Sequence, residues 1–222
     1  MSITVIVASY HYGHLAGHCI ETILSQTRRP EKILFVDDAA GDCFHLINLY
    51  PEVEFYFRKH NLGTVANFND MLQKVQTDRY MFIGADNWLR SDAIERILNE
   101  DADIVTYDIV VTGTDLKTFE KIRVPNHDIK KNVLTKTSVG APLNPDFYWS
   151  RKVGHHGSMV YKTALAKRFG FQAHQDSAKY TEEDKVLFNN AQKVNAIIAH
   201  IPEGLLYYRT HEKNFNKYGK NE

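Results

Sequence analysis

The chain has 222 residues, 27 basic and 27 acidic side chains, and therefore no net formal charge. This length suits one α/β domain with a sizeable core, and charge neutrality argues against nucleic acid as the main partner, because that binding depends on phosphate neutralisation. No apolar run approaches the roughly 20 residues of a membrane-spanning helix. Two cysteines are too few for a disulfide framework, so we expect both thiols to be free. Together these features lead us to expect a cytoplasmic protein, or a domain of one.

The first hundred residues alternate between predicted strands and predicted helices. Apolar or alternating runs predict strands at Ile3–Ser9, Lys32–Val36 and Val53–Arg58 and a further strand beginning at Tyr80. Helical spacing of apolar residues predicts helices at Leu15–Gln26 and Thr64–Val75, a short helix ending at Tyr50 and another beginning at Ser91. Such alternation predicts a parallel sheet with right-handed crossovers.

After residue 100 the alternation stops. A Thr-Gly-Thr turn between Ile104–Val111 and Phe119–Val124 predicts a hairpin, and residues 125–155 form a long loop region. The remaining predicted elements are a strand at Gly157–Tyr161, helices at Thr163–Phe169 and Thr181–Lys193, and strands at Ala196–Ile201 and Leu205–Arg209. We expect a single domain over residues 1–222, with a nucleotide-binding half over 1–100 and an acceptor-binding and catalytic half over 101–222.

Carboxylates follow two of the predicted strands. Open α/β sheets bind ligands beyond the carboxyl ends of their strands, where Asp37, Asp38 and Asp86 stand. Asp37 and Asp38 are suited to a base N–H and a ribose hydroxyl, although Asp also favours turns for local reasons. Our hypothesis is that Asp86 holds a divalent metal on a nucleotide diphosphate; the alternative is that it only caps the next helix.

Seven segments follow one another along the chain: ITVIVASYHYGHLAGHCIETILSQT, ILFVDDAAGD, NLGTVANFN, FIGADNWL, GSMVYKTALAKRFGF, TEEDKVLFNNA and YYRTH. In their order and spacing, these segments resemble family 2 glycosyltransferases of the GT-A fold. The resemblance implies an α/β fold with a Rossmann-like nucleotide-binding half, whose mainly parallel sheet is flanked by helices, and a smaller mixed sheet on the acceptor side. It also implies an enzyme that moves a sugar from a nucleotide diphosphate to a hydroxyl of a glycan or glycoconjugate, with inversion.

The resemblance assigns the nucleotide site residue by residue. The residues implied to bind the nucleotide are Ser9, Tyr10, Asp37, Asp38, Asn61, Gly63, Ala85, Asp86 and Arg209. Ser9 and Tyr10 would line the base pocket, and Arg209 would pair with phosphate. The family often has Arg five residues after the glycine of its Asn-x-Gly turn, but Phe68 stands there.

The family's Asp-x-Asp motif falls on Gly84-Ala85-Asp86, so its first acid is absent. The resemblance implies that Asp86 keeps the metal, with Asn87 as a further oxygen and His211 as a second ligand or a phosphate contact. Oxygen ligands suit Mg²⁺ or Mn²⁺. The ribose contact that the missing acid would make is then either lost or made by another residue.

The resemblance also points to a catalytic base and an acceptor groove. Asp184, with Glu183 in reserve, would take the proton from the acceptor hydroxyl. Thr181 and Asp184 equally fit a helix capping box, and both roles are compatible. Trp149, His155 and His156 could line the acceptor groove, the alternative being a loop anchored to the core.

Other classes of function fit less well. A nucleotidyltransferase would have a Gly-rich basic loop after the first strand, but Tyr10–His14 contains no Lys or Arg. A non-catalytic nucleotide- or sugar-binding relic is favoured by Gly84 and Phe68, and opposed by the retained acids and His211. UDP is the nucleotide we expect, because a small pocket with an Asp suits a uracil N–H; dTDP and GDP remain alternatives.

Overall fold

The computed structural model describes residues 1–113, 147–149, 156–173 and 183–211. The strands are β1 (Ile3–Ser9), β2 (Lys32–Asp37), β3 (Glu54–Phe57), β4 (Arg79–Gly84), β5 (Trp88–Leu89), β6 (Ile104–Gly113), β7 (Phe147–Trp149), β8 (Met159–Lys162) and β9 (Ile198–Thr210). The helices are α1 (Gly13–Leu24), α2 (Gly63–Lys74), α3 (Ala93–Leu98), α4 (Thr163–Phe169) and α5 (Glu183–Lys193), with short 3₁₀ turns at Phe44–Leu46 and His156–Ser158.

One sheet in the order β3-β2-β1-β4-β8-β6-β9-β5 organises these elements, with β7 added beside β6. The first four strands are parallel, as the β-branched apolar runs predicted. β8 then runs antiparallel between β4 and β6, and β6 pairs in parallel with β9. The α/β class with a mainly parallel sheet is therefore confirmed.

Helices cover both faces of the sheet, as buried parallel strands require. Alternate residues of β1 enter opposite cores: Val5 and Val7 pack with α1 and α3, whereas Ile6 packs with α2, α4 and α5. The crossover from β1 to β2 through α1 and the one from β3 to β4 through α2 therefore lie on opposite faces. This arrangement leaves the carboxyl ends of β1 and β4 uncovered by either crossover.

Three predicted elements differ in the structure. The helix expected up to Tyr50 is only the 3₁₀ turn Phe44–Leu46. The turn expected at residues 112–114 begins later, because Thr112 and Gly113 still pair with β9; the second arm of the hairpin lies outside the described residues. The two strands expected at the end of the chain are one strand, β9, with an irregularity in the middle.

That irregularity sets the direction of the last strand. Tyr107 pairs with Ile201 and the next residue, Asp108, pairs with Gly204, so Pro202 and Glu203 have no partner in β6 and form a bulge. A second shift in register follows at once, because Ile109 pairs with Leu206 and leaves Leu205 without a partner in β6. Beyond the bulge, β9 also pairs with β5, with Tyr207 opposite Trp88. The end of β9 is thereby brought to the turn that follows β4.

Candidate active site

The strand order reverses at β1, because β2 and β3 lie on one side of it and β4 lies on the other. Ligands of open α/β sheets bind at such a reversal, outside the carboxyl ends of the two strands. Here the loop after Ser9 and the turn Gly84–Asn87 flank this crevice. A hydrogen bond from Ala85 N to Ala8 O, 2.9 Å long, joins the two strand ends.

Asp86 is the acid at this crevice, and it contacts His211. Its side chain is almost fully buried, and Asp86 Oδ2 lies 3.1 Å from His211 Nε2. The edge of the His211 ring packs against Tyr12, with centroids 5.4 Å apart. The structure thus brings together the two residues that the sequence suggested as metal ligands, although 125 positions separate them.

Arg209 fixes the same turn from β9. Its Nε donates to Asp86 O at 2.9 Å, and its backbone N–H donates to Asn87 Oδ1 at 3.0 Å. The guanidinium lies 4.8 Å from the centre of the Trp88 ring and donates to His18 Nδ1 at 3.1 Å. Burial and the nearby Arg209 lower the pKa of His18, which keeps Nδ1 available as an acceptor. Asn87 Oδ1, which was suggested as a further metal ligand, already accepts the hydrogen bond from the backbone N–H of Arg209.

Asp38 organises the start of α2. Its two carboxylate oxygens accept hydrogen bonds from Leu62 N at 2.9 Å and Gly63 N at 3.0 Å. Asn61 Oδ1 also accepts from Gly63 N, and Gly63 has a φ of +72° with open space beside it. The three predicted nucleotide contacts Asp38, Asn61 and Gly63 therefore form one cluster beside the carboxyl end of β2.

Asp37 is more deeply buried than Asp38 and is held by the turn that follows it. Its oxygens accept from Ala40 N and Gly41 N at 2.9 and 2.8 Å. Burial raises the pKa of Asp37 despite these hydrogen bonds, and the neighbouring Asp42 carboxylate adds to the rise. The hydrogen bonds of the turn therefore occupy both carboxylate oxygens of Asp37. Because Asp37 is only 1% exposed, little of its surface is left for a ligand.

The remaining nucleotide-site residues lie around these acids. Ser9 is buried, with its Oγ 3.4 Å from Cys43 Sγ. Tyr10 is half-buried and its ring lies 4.2 Å from the ring of His11, whose φ of +64° marks a strained loop. The side chain of Ala85 is in the core, so a ligand could reach only its backbone.

The Asp86–His211 pair fits a divalent cation. Two ligand atoms at right angles, each about 2.1 Å from an octahedral ion, are about 3 Å apart. The observed separation of 3.1 Å is that of a hydrogen bond and is also about one edge of such an octahedron, so a bound ion would replace this hydrogen bond. Diphosphate oxygens and water would complete the coordination, as is usual for Mg²⁺.

Among the described residues, three side chains that could bind a metal converge at one place, formed by Asp37, Asp42 and Cys43 and separate from the Asp86–His211 pair. Burial raises the pKa of Cys43 to about 12. Metal-binding cysteines are thiolates, so a protonated thiol is a poor ligand. The acids there are also engaged by backbone N–H groups.

Glu183 and Asp184 form the first turn of α5, where the helix dipole favours acids. Glu183 is 6% exposed. The pKa of Tyr161 on β8 is raised by burial, by Tyr80 and by the negative charge of Asp184, so Asp184 lies close enough to Tyr161 to interact with it. Thr181, the proposed cap, lies outside the described residues.

The predicted acceptor residues are described only in part. The backbone of Trp149 lies in β7 opposite Ile109, and His156 begins the 3₁₀ turn before β8. That turn is anchored by a hydrogen bond from Tyr107 Oη to Gly157 O, 2.8 Å long, and adjoins the carboxyl end of β4. His155 lies outside the described residues.

Phe68, in the place of the family's Arg, belongs to the core. Its ring stacks on Phe82 with centroids 4.0 Å apart. The cation beside α2 is Arg58, which donates from Nε to Asn67 Oδ1 and pairs with Asp70. The sequence reasoning did not single out Arg58, although its position as the last residue of a predicted strand was a signal.

A second contact that the sequence reasoning missed joins Gly13 to Asp42. Asp42 Oδ2 accepts from Gly13 N at 2.9 Å and so caps the start of α1. A Cβ on Gly13 would lie 2.3 Å from Asp42 O, which only glycine permits. In the sequence, this contact was indicated by the glycine at the helix start, Gly13, together with the acid at the end of the Asp-rich turn, Asp42.

Within the part of the chain that the structure describes, no helix is long and apolar enough to cross a membrane. Both cysteines are free and buried, as expected.

Comparison with known sequences finds related proteins. The profile of the family described as Glycosyl transferase family 2 matches residues 4–166. Glycosyltransferase GlyA of Streptococcus pneumoniae is 27% identical over 110 residues, which cover 46% of this chain and 16% of GlyA. An uncharacterized glycosyltransferase of Bacillus subtilis, YwdF, is 24% identical over 140 residues, covering 62% of this chain and 51% of YwdF. The matches thus span about half of YwdF and a small part of GlyA.

Solved structures share the fold over nearly the whole chain. TarS 1–349 of S. aureus in complex with UDP-GlcNAc superposes with a TM-score of 0.68 and 18% identity, covering 98% of this chain and 61% of that one. The mannosyltransferase PcManGT of Pyrobaculum calidifontis, in complex with GDP-Man and Mn²⁺, gives a TM-score of 0.62 and 14% identity, with 97% and 59% covered. At these identities the likeness shows the GT-A fold.

Proposed function

Because the chain belongs to glycosyl transferase family 2, we propose that it transfers a sugar from a UDP-sugar to a hydroxyl of a glycan or glycoconjugate, with inversion at the anomeric carbon. The observation that carries this proposal is the Asp86–His211 pair at the strand reversal, where a diphosphate would lie. UDP-GlcNAc in the related TarS structure supports UDP as the nucleotide. GDP is the alternative that the PcManGT complex keeps open.

Mn²⁺ or Mg²⁺ is the proposed cofactor, held by Asp86 and His211. When bound, such an ion neutralises the negative charge of the departing diphosphate. Arg209 holds the backbone of Asp86 in place and adds a positive charge nearby. The buried setting of Asp86 makes these charges interact more strongly than they would in water.

The proposed nucleotide contacts lie beside the metal pair. Asp38 and Asn61 already order the turn at Gly63, which leaves this turn preorganised for the base and ribose. Ser9 and Tyr10 lie at the end of β1, between the Asp38 cluster and the Asp86 turn. The order base, ribose, diphosphate would then run along the carboxyl edge of the sheet from β2 to β4.

Asp184 is the proposed general base. Its carboxylate takes the proton of the acceptor hydroxyl while that oxygen forms a bond to the anomeric carbon. The bond from the anomeric carbon to the diphosphate oxygen breaks, and the nucleoside diphosphate leaves with the electron pair. Glu183, buried beside it, is the second choice for this role.

The first test is calorimetric titration of UDP, dTDP and GDP, each with Mn²⁺ and with EDTA. We expect one nucleotide, UDP, to bind tightly only with metal, and D86A to remove that dependence. D101A, at an exposed Asp before β6, is the matched control and should bind as the unsubstituted protein does. Metal-independent binding, or unchanged binding by D86A, would contradict the metal role of Asp86.

The second test separates binding from chemistry. D184N should bind the nucleotide normally but release UDP from UDP-sugars, with water as acceptor, about 10²- to 10⁴-fold more slowly, the usual contribution of a general base. D101N is the control. Retained turnover in D184N would rule out Asp184 as the general base. A lack of turnover in the unsubstituted protein and in every variant would favour the non-catalytic relic.

A further inference from the structure

Gly84 ends β4 at the position where the family pattern has an acid, and its surroundings explain why no side chain is there. A Cβ on Gly84 would lie 2.6 Å from Asp86 Oδ1 and 2.9 Å from Asn87 Nδ2. Non-bonded heavy atoms normally stay about 3.5 Å apart or more. The carboxylate of Asp86 and the amide of Asn87 therefore occupy the space that a side chain at position 84 would need.

Both side chains are held in that space by specific contacts. The turn is closed by a hydrogen bond from Asn87 N to Gly84 O, 2.9 Å long. Asn87 Oδ1 accepts from Arg209 N, so the nitrogen of the same amide is the atom that faces Gly84. Of the Asp86 oxygens, Oδ1 lies over Gly84 while Oδ2 contacts His211 Nε2.

We propose that Gly84 is a positioning residue for the metal pair: its lack of a side chain lets the Asp86 carboxylate point one oxygen at the strand end and the other at His211. This inference rests on the proposed metal role of Asp86 and His211. Any side chain at position 84 pushes Oδ1 away, and because the carboxylate is rigid, Oδ2 leaves His211 with it. Restoring the aspartate of the family motif therefore weakens metal binding, although it adds a potential ligand.

The fold does not depend on Gly84 in the same way. Its φ is not in the left-handed region, so alanine can adopt the same backbone conformation. The atoms that a new Cβ would displace are the ends of side chains and not backbone. A substitution at Gly84 is thus expected to alter the direction of Asp86 without unfolding the chain.

The test measures metal directly and needs no turnover. Electron paramagnetic resonance of Mn²⁺ titrated with protein and UDP gives the affinity of the unsubstituted protein, G84A, G84D and D86A. We expect G84A to bind Mn²⁺ about tenfold or more weakly, the usual cost of disturbing a residue that orients a ligand, and G84D at least as weakly. UDP affinity in EDTA and the midpoint of thermal unfolding should not change in G84A.

Gly17 offers a matched control on α1. A Cβ there would meet only Tyr50 Oη, at 3.1 Å, outside the metal pair. G17A should bind Mn²⁺ as the unsubstituted protein does.

The outcomes distinguish the two proposals. No Mn²⁺ binding by the unsubstituted protein would overturn the proposed metal site and this inference with it. Mn²⁺ binding that D86A removes but G84A leaves unchanged would overturn the role of Gly84 alone, as would tighter binding by G84D. A G84A protein that fails to fold would also contradict the inference, because only side-chain ends should be displaced.

Discussion

Arg209 makes more contacts with the protein than a simple phosphate ligand would. Its guanidinium donates to Asp86 O and to His18 Nδ1 and lies over the Trp88 ring. Burial lowers the pKa of Arg209, with the Asp86 charge opposing this shift, and an arginine remains charged in either case. Its geometry holds the turn, and its charge would be available to the diphosphate of the proposed donor.

Replacing Arg209 with Lys separates these two roles, because lysine keeps the charge but loses the planar fork. We expect R209K to lose about 2 kcal/mol of unfolding free energy from the missing hydrogen bonds and ring contact, measured by urea unfolding. UDP binding with Mn²⁺ should weaken as well. The control R96K, in an exposed pair with Glu203, should change stability by less than about 1 kcal/mol. Equal stabilities of R209K and R96K would contradict the structural role.

Cys43 gives a prediction that depends on pH. Burial raises the pKa of Cys43 from 9.0 to about 12, so the native thiol stays protonated where the unfolded thiol ionises. This contribution to stability is complete below pH 9 and is lost as the pH rises from 9 to about 12. We expect the urea midpoint to fall less between pH 9 and about 12 in C43A than in the unsubstituted protein. A native protein whose thiols react rapidly with a disulfide reagent at pH 8 would contradict this environment.

At the scale of elements, the start of α1 depends on the turn after β2. Asp42 caps the helix through Gly13 N, and the backbone of Asp42 passes close above Gly13. The loop Tyr10–Tyr12 lies between this junction and the end of β1. A displacement of the junction would therefore reach the proposed nucleotide site.

G13A tests this junction. Its Cβ would lie 2.3 Å from a backbone oxygen, so the backbone has to move, and we expect a loss of about 1–3 kcal/mol in urea unfolding. G17A, on the same helix, meets only the end of a tyrosine side chain and should be neutral or slightly stabilising, because alanine favours helix. Equal stabilities of the two variants would contradict the close approach.

The sequence predicted well those elements that local pattern determines. The apolar runs at Ile3–Ser9 and Lys32–Val36 gave strands with nearly the observed ends, and Gly170 ended α4 as expected. The bulge at Pro202 and Glu203 looked like a gap between two strands, because one chain alone does not reveal which strand pairs across it. The hypothesis for Asp86 came from its position after a predicted strand and that for His211 from the family resemblance, whereas the conflict at Gly84 depends on side-chain directions that no spacing encodes.

At the scale of the whole molecule, both cores draw on the first and second halves of the chain. One contains Val5 and Ile20 together with Tyr107 and Leu205. The other joins α2 to Leu187 and the rest of the buried face of α5. The proposed nucleotide-binding and acceptor halves therefore share their cores, which supports our proposal of a single domain over residues 1–222.

A shared pair of cores predicts one cooperative unfolding transition, although chains of this length often show intermediates. We expect a single calorimetric peak whose enthalpy equals the van't Hoff value. Circular dichroism should report the same midpoint. Two resolved peaks, or a calorimetric enthalpy well above the van't Hoff value, would mean that the halves unfold separately.

The position of Trp88 gives the molecule a natural optical reporter. Its ring stacks on Tyr207 at 5.3 Å and touches the guanidinium that braces Asp86. The chain has two tryptophans, Trp88 and Trp149, so W149F leaves a single indole. The emission of that indole would follow occupancy of the crevice in real time, without a label and without knowledge of the acceptor.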